Sequence, residues 1–187
     1  CSSDLPAVVL TEKEIGRLYR QCDDSLLGIR DRAMLAVFYG CGVRRNEAVH
    51  LEVKDVLPHR SVLYIRKGKG YKERYVPMVG QVKGDIIDYL ATARPMLMGR
   101  QLHEAFFVGL HGRPLGASSL YERFKKLLRS AGIEKKAGLH TLRHSIATHL
   151  LTGGMNLSRI ARFLGHSSLE STQIYTHLTA EASAKED

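Results

Sequence analysis

The chain has 187 residues, of which 44% are hydrophobic and 25% charged, and its formal net charge is +9. This composition is typical of a soluble globular domain and excludes disordered, collagen-like and coiled-coil proteins. The longest apolar run, residues 33–43, has 11 residues, whereas a membrane-spanning helix needs about 20, so we predict a protein that does not cross a membrane.

The three cysteines, at positions 1, 22 and 41, are an odd number, and the last two fall at helical core positions. We therefore expect no disulfide framework and a reducing, cytoplasmic compartment. Because the chain begins at Cys1 and opens without a recognisable signal peptide, we expect a segment of a longer intracellular protein, with a linker over residues 1–10 and one domain over residues 11–187.

The excess of positive charge is concentrated in two windows of the sequence. Residues 44–74 carry nine basic and four acidic side chains, and residues 113–143 carry eight and two. Clustered basic charge in an otherwise near-neutral chain indicates a nucleic-acid-binding surface. The alternative is an ordinary solvated surface.

The spacing of apolar residues predicts helices in the first quarter of the chain. A capping box at Thr11 opens a helix over residues 12–22. A second helix ends at Gly40 and Gly42, because glycine readily leaves helical geometry. A short helix is expected to restart at Arg44.

One sheet is predicted, between residues 53 and 77. Two β-rich stretches, Val62–Arg66 and Arg74–Pro77, flank a loop that contains Gly68-Lys69-Gly70. This arrangement is typical of a β-hairpin.

Helical periodicity returns in the second half of the chain. The predicted helices cover residues 82–93, 120–131 behind a capping box at Ser119, 139–150 stopped by Gly153, 157–164 stopped by Gly165, and a last helix opened by Ser167 that carries Tyr175.

Several side chains suited to phosphate esters fall near helix ends or loop tips. Arg143 lies at the edge of an apolar helix stripe, three residues after His140, so both can address one ligand. Arg44 follows a glycine-rich helix end, and Lys69 stands between two glycines. Each has an ordinary alternative. Arg143 and His140 can be satisfied by a carboxylate and by backbone, Arg44 can form a solvated pair with Arg45, and Lys69 can be an exposed loop lysine.

Motifs for nucleotide hydrolysis and metal binding do not accompany these residues. Gly68-Lys69-Gly70 lacks the longer glycine spacing of a phosphate-binding loop, and the histidines after residue 139 form no His-Glu-x-x-His motif. Together with His166 and Tyr175, the arginines, the lysine and His140 describe a metal-free site for a phosphodiester, in which the tyrosine is the candidate nucleophile.

The order and spacing of five motifs resemble the tyrosine recombinase (phage integrase) family. The motifs are Gly42-Val43-Arg44-Arg45-Asn46-Glu47, Gly68-Lys69-Gly70 with Lys72-Glu73-Arg74, His140-Thr141-Leu142-Arg143-His144, Leu164-Gly165-His166, and Tyr175. The resemblance covers residues 11–178. It implies the catalytic-domain fold of that family, an α+β fold that is mainly α-helical with a small antiparallel β-sheet of about three strands. It also implies a reaction without cofactors or metal and six catalytic positions, filled by Arg44, Lys69, His140, Arg143, His166 and Tyr175.

The resemblance implies a role for each of these residues. Tyr175 attacks the scissile phosphate, forms a 3′-phosphotyrosyl link and releases a 5′-hydroxyl, while the two arginines hold the phosphate. Because tyrosine has an unperturbed pKa of about 10, His140 is the implied base or orienting group. Lys69 protonates the leaving oxygen, and His166 donates a further hydrogen bond to the phosphate.

The resemblance also implies partners. These are double-stranded DNA and, for the full-length protein, a homotetramer on two DNA sites in the bacterial cytoplasm or nucleoid. Relatives usually place a helical core-binding domain before the catalytic domain, and we do not expect it in these residues. By itself this segment should be a monomer that binds DNA weakly and does not contact a membrane. Further DNA contacts are expected from basic side chains of the two windows: Arg45, Lys67, Lys72, Arg74, Lys125 and Lys126.

Several functions are compatible with these residues. The leading hypothesis is the integrase of a mobile element, and a chromosome-dimer or plasmid resolvase is the nearest alternative. A type IB topoisomerase shares the chemistry without a partner strand. Two further classes stay open, a non-catalytic DNA-binding module and a metal-free phosphodiesterase that uses His140 and His166 directly. Both predict that activity survives Tyr175→Phe.

Overall fold

A computed structural model of the chain describes residues 8–66 and 72–166. The helices are α1 (Glu12–Arg20), α2 (Leu26–Leu35), α3 (Arg45–Val49), α4 (Gln81–Asp88), α5 (Arg94–Met98), α6 (Ala117–Ser130), α7 (Leu139–Thr152) and α8 (Leu157–Leu164). The strands are β1 (Val56–Leu57), β2 (Val62–Ile65) and β3 (Arg74–Pro77). Two π-helical turns, Ala36–Gly40 and Tyr89–Ala93, continue α2 and α4.

The three strands form one antiparallel sheet in the order β1-β2-β3. Val56 pairs with Leu63, and Ile65 pairs with Arg74. Leu63, Ile65 and Val76 are buried, which follows from the two-residue alternation of strand side chains. The predicted fold, mainly helical with a small antiparallel sheet of three strands, is confirmed.

Helix α2 and its π-helical continuation form the centre of the core. Every side chain from Ala33 to Phe38 is at most 1% exposed. A helix that is apolar on all sides is buried on all sides, which explains why the longest apolar run of the sequence lies here. Helix α7 packs against the π-helical turn, and α4 packs against both parts of this element.

Of the two helix starts predicted from capping boxes in the described residues, one is confirmed. Thr11 caps α1, and its side chain and that of Glu14 form the predicted reciprocal capping box. The predicted start of α6 at Ser119 is wrong. The helix begins three residues earlier, because the carbonyl of Gly116 already accepts the N–H of Leu120 at 3.2 Å.

Residues placed in the predicted linker take part in the packed domain. Leu10 is fully buried, and its N–H donates to Ser145 Oγ at 2.9 Å. Lys135 Nζ donates to the carbonyl of Val9 at 3.0 Å. These contacts attach the chain before α1 to α7 and to the segment that precedes it, so the linker predicted over residues 1–10 is too long at its carboxyl end.

The two described cysteines behave as apolar core residues. Cys22 and Cys41 are buried and form no disulfide, as predicted for these two positions. Burial raises the pKa of each thiol to about 12. Both thiols therefore stay protonated and unreactive at neutral pH.

No helix within residues 8–66 and 72–166 has both the length and the apolar character that a membrane span requires.

Candidate active site

Arg44 is held in place between the π-helical turn and α3. Gly42 has a φ of +59°, and a Cβ there would come within 3.0 Å of the side chains of Phe163 and Leu164, so only glycine fits without strain. The backbone N–H of Arg44 donates to Glu47 Oε2 at 2.9 Å, and its Nη1 donates to Oε1 at 3.1 Å. The glycine-rich helix end therefore turns the chain, and Glu47 orients the arginine.

Arg143, on α7, is buried and donates hydrogen bonds to two separate segments of the chain. Its Nη1 donates to the carbonyl of Gly42 at 2.6 Å, and its Nη2 donates to the carbonyl of Leu164 at 2.8 Å. These carbonyls lie two residues before Arg44 and two residues before His166. The predicted partly buried arginine is present, and these acceptors are main-chain carbonyls.

His166 lies just beyond the carboxyl end of α8, as predicted. Gly165 ends the helix with a φ of +70°, a conformation that favours glycine. Burial, followed by the positive charges of Arg143, Arg44 and Arg74, lowers the pKa of His166 to about 4. At neutral pH its imidazole is therefore uncharged and carries one N–H donor.

Two histidines lie one helical turn apart in the first half of α7. The ring of exposed His140 and that of His144 meet edge to face, with centroids 5.8 Å apart. Burial, followed by the charges of His140 and Arg143, lowers the pKa of His144 to about 4. The amino-terminal half of α7 thus presents one exposed and one half-buried imidazole beside the arginine.

A cavity of about 890 Å³ opens beside this group, and its wall includes Arg44, Arg45, Tyr121 and His140. The wall also includes Arg66, which is paired with Asp55 at 2.9 Å and Glu52 at 2.8 Å. Arg66 is therefore neutralised by two carboxylates. Arg44 shares the single carboxylate of Glu47 with Arg74, so this trio keeps a net positive charge that attracts an anionic group entering the cavity.

The structure brings together four of the six predicted catalytic residues, Arg44, His140, Arg143 and His166. Lys69 and Tyr175 lie outside the described residues, as does Lys67.

The predicted DNA-contacting side chains differ in their exposure. Arg45, Lys72 and Lys126 are exposed, while Lys125 is half-buried, with its Nζ 6.0 Å from the centroid of the Tyr121 ring. Their contacts with DNA stay predictions.

Arg74 differs from the other predicted DNA contacts because it is buried. Its guanidinium donates to Glu47 Oε1 at 2.8 Å, to Glu47 Oε2 at 3.0 Å and to the carbonyl of Phe163 at 3.2 Å. Sequence reasoning quoted both Glu47 and Arg74 within the motifs and expected Arg74 to contact DNA, but it gave neither residue a role among the catalytic groups. The spacing of three between Arg44 and Glu47 was a usable signal for the glutamate, but nothing in the sequence relates Arg74 to a residue 27 positions away.

Within the described ranges, no group of three or more His, Cys, Asp or Glu side chains is arranged to hold a metal ion.

Similarity to known proteins identifies the family of the chain. A family model described as "Phage integrase family" matches residues 8–182. The chain belongs to the phage integrase family. This confirms the family resemblance drawn from the five motifs.

Relatives of this phage integrase domain include enzymes with determined structures. A protein named tyrosine recombinase XerD from Corynebacterium glutamicum is 44% identical over 154 residues, which are 82% of this chain and 50% of the relative. The crystal structure of XerA recombinase superimposes with a TM-score of 0.84 at 32% identity, covering 96% of this chain and 63% of XerA. XerH site-specific recombinase, in a post-cleavage complex with palindromic difH substrate, has a TM-score of 0.79 at 26% identity, covering 100% of this chain and 56% of XerH. The chain spans about half the length of the curated relatives it matches.

Proposed function

We propose that the protein is a site-specific DNA recombinase that cuts and rejoins strands through a 3′-phosphotyrosyl intermediate. The observation that carries the proposal is the proximity of Arg44, Arg143 and His166, in a chain of the phage integrase family. Arg44 and His140 also line one cavity. The relatives named as tyrosine recombinases, and the relative bound to its difH substrate, support the same activity.

In this proposal the two arginines bind the scissile phosphate. Guanidinium groups donate charge-assisted hydrogen bonds in a planar fork that suits two phosphate oxygens. These bonds strengthen as negative charge develops on the oxygens in the transition state. The existing contacts of Arg143 with two carbonyls, and of Arg44 with Glu47, keep both side chains oriented before DNA arrives.

The covalent step exchanges one phosphodiester for another. The phenolic oxygen of Tyr175 forms a bond to phosphorus while the bond between phosphorus and the 5′ oxygen breaks. The phenolic proton passes to His140, and the leaving oxygen takes a proton from Lys69. A 5′-hydroxyl of a partner strand reverses the step. Because both esters have similar energy, the exchange requires neither ATP nor a divalent metal ion.

His166 serves as a neutral hydrogen-bond donor. Its pKa of about 4 leaves it uncharged at pH 7, and a neutral imidazole still carries one N–H. That N–H can donate to a non-bridging phosphate oxygen. An uncharged donor also limits the mutual repulsion of the positive side chains around the site while no phosphate is bound.

The proposed substrate is double-stranded DNA, and the proposed active assembly of the whole protein is a homotetramer on two sites. We propose that residues 11–187 form its catalytic domain and that a core-binding domain belongs to the whole protein. Arg45, Lys72, Lys125 and Lys126 are proposed to contact backbone phosphates, because they are basic, outside the core and in the two positive windows.

Two biological roles share this chemistry. A mobile-element integrase was our leading expectation from the sequence. The match to recombinases named XerD favours the alternative, a chromosome-dimer resolvase. Two plasmid assays separate the roles. A resolvase excises the segment between two directly repeated copies of the site on one plasmid. An integrase inserts a site-bearing circle into a second plasmid.

The test of the activity is covalent trapping. The chain and its Tyr175→Phe variant are incubated with nicked duplexes cut from source-organism DNA, in EDTA and at low salt, and protein–DNA adducts that survive SDS are recovered and sequenced. We expect adducts from the unchanged chain on one enriched sequence, with protein on the 3′ end. The variant should give none.

Two outcomes would contradict the proposal. Adducts that persist in Tyr175→Phe would assign the covalent link to another residue. If the unchanged chain and the full-length protein both bind DNA without forming an adduct, the non-catalytic binding module is the correct alternative.

A further inference from the structure

We infer that Arg74 is a positioning residue for the proposed cleavage reaction, one that orients Arg44 and the loop of His166 through buried contacts. This inference rests on the proposed recombinase function. It differs from the DNA contact that the sequence suggested for Arg74, because it places the action of this arginine inside the protein.

The first contact is with the carboxylate that orients Arg44. Arg74 donates from Nη1 and Nη2 to the two oxygens of Glu47, at 2.8 and 3.0 Å. The same oxygens accept the Nη1 and the backbone N–H of Arg44, at 3.1 and 2.9 Å. Only 5% of the Glu47 side chain is exposed. One buried carboxylate therefore sets the relative positions of the two arginines.

The second contact is with the carboxyl end of α8, which lies two residues before His166. Arg74 Nε donates to the carbonyl of Phe163 at 3.2 Å. A Cβ at Gly165 would lie 2.7 Å from Arg74 Cδ and 2.9 Å from its Nη1. The guanidinium thus packs directly against the turn that carries His166, and only glycine leaves room for it there.

The position of Arg74 in the sheet completes the link. It is the first residue of β3 and pairs with Ile65 of β2, five positions after Lys69 in the sequence. Strand β3 is therefore attached, through the side chain of Arg74, to α3 and to the end of α8. A change at Arg74 should alter the geometry of several proposed catalytic groups at once.

The ion pair of Arg74 with Glu47 argues against direct use on DNA. The arginine side chain is 8% exposed, and its three nitrogens already donate to protein oxygens. Turning it toward a phosphate would leave Arg44 as the remaining partner of Glu47 among the two arginines, and breaking a buried ion pair is strongly unfavourable.

The experiment compares Arg74→Lys, Arg74→Gln and Glu47→Gln, the double variant Arg74→Gln/Glu47→Gln, and the control Arg60→Gln. Arg60 is exposed in the turn between β1 and β2, with its guanidinium carbon 5.1 Å from the centroid of the Tyr75 ring. The probe is a nicked duplex carrying the sequence most enriched among the trapped adducts. Three quantities are measured: the rate of adduct formation at saturating DNA, the Kd for the duplex, and Tm.

Arg74→Lys keeps the charge and loses the planar fork. We expect its saturating cleavage rate to fall about 100-fold, as for a displacement of about 1 Å in a catalytic group, with Kd within about threefold of that of the unchanged chain. In the double variant the fold-loss should be smaller than the product of the losses in Arg74→Gln and Glu47→Gln, because both changes break one linkage. Arg60→Gln should leave all three quantities unchanged.

Several outcomes would overturn the inference. An unchanged saturating rate, with a raised Kd and a salt slope reduced by about 1, would make Arg74 a phosphate contact. A rate that falls only in proportion to the folded fraction, or additive losses in the double variant, would make it a stability residue. If Arg74→Gln does not fold, Arg74→Lys decides the question. Absence of adduct with both the unchanged chain and the full-length protein is a different result, because it rejects the proposed function itself.

Discussion

Arg143 Nη1 donates a 2.6 Å hydrogen bond to the carbonyl of Gly42, a residue 101 positions earlier in the chain. The left-handed backbone of Gly42 is packed against α8, and Arg44 follows two residues later. One buried contact therefore sets how the two arginines of the proposed phosphate site lie relative to each other. Neither arginine can move without disturbing the turn that joins them.

This contact predicts that Arg143→Lys is not a conservative change. A lysine keeps the charge but cannot hold the Gly42 and Leu164 carbonyls and a phosphate in one planar fork. We expect the saturating rate of adduct formation to fall at least about 100-fold. Tm should fall as well, because a buried carbonyl left without a donor costs about 1–3 kcal/mol.

Arg129→Lys on the exposed surface of α6 is the matched control for Arg143→Lys. It should change neither the cleavage rate nor Tm. A cleavage rate for Arg143→Lys equal to that of this control would remove the proposed phosphate clamp.

The proposed acid, Lys69, is tested by changing the leaving group of the substrate. A sulfur in place of the 5′-bridging oxygen leaves as a thiolate, which needs no proton donor because thiols are much stronger acids than alcohols. Lys69→Ala should cleave the ordinary duplex about 100-fold more slowly or worse and should recover most of its rate on the sulfur-containing duplex. Equal defects on both duplexes would assign Lys69 to another role, such as binding.

The basic side chains of α6 predict a steep dependence of DNA affinity on salt. Each neutralised phosphate contributes about −0.9 to the slope of log K against log salt. The double change Lys125→Gln/Lys126→Gln should therefore reduce the slope by about 1 to 2, measured by fluorescence anisotropy over a range of salt concentrations. Lys13→Gln, an exposed change in α1, is the control. Equal slopes for the two proteins would show that α6 does not contact phosphates.

The half-buried histidines predict a loss of stability in acid. His144 and His166 have pKa values of about 4 in the folded protein, against an ordinary value of 6.5. The unfolded chain therefore binds more protons between these limits, and stability falls as pH is lowered from about 6.5 toward about 4. The difference in Tm between pH 7 and pH 4.5 should be smaller in His144→Gln and His166→Gln than in the unchanged chain.

His59→Gln provides the control for this measurement, because His59 is exposed in the turn between β1 and β2. It should lose as much stability in acid as the unchanged chain. Identical losses in all four proteins would mean that the buried imidazoles do not cause the effect.

The local signals of the sequence proved sufficient for most of the secondary structure. The capping box at Thr11, the glycine ends at Gly42 and Gly165 and the alternation of β2 and β3 all lie where the pattern predicted them. These features depend on neighbours within about four residues, so their physics is present in a short window. The start of α6 was predicted wrongly because a plausible capping residue, Ser119, follows the true one, Gly116.

The identity of the candidate site residues was also present in the sequence, but their relationships were not. Motif order sufficed to nominate Arg44, His140, Arg143 and His166. It did not reveal that Arg74 is buried or that it shares Glu47 with Arg44. A basic residue in a positive window resembles a DNA contact when its burial is unknown.

The sequence by itself determined the family, the helical character of the chain and the list of chemically competent side chains, because each is encoded by residue type and short-range spacing. The tertiary structure alone decided which of those side chains are buried, which carboxylate they share and which carbonyls orient them. The reason is that such contacts join residues 21 to 101 positions apart, and burial changes both the protonation of His166 and the accessibility of Arg74.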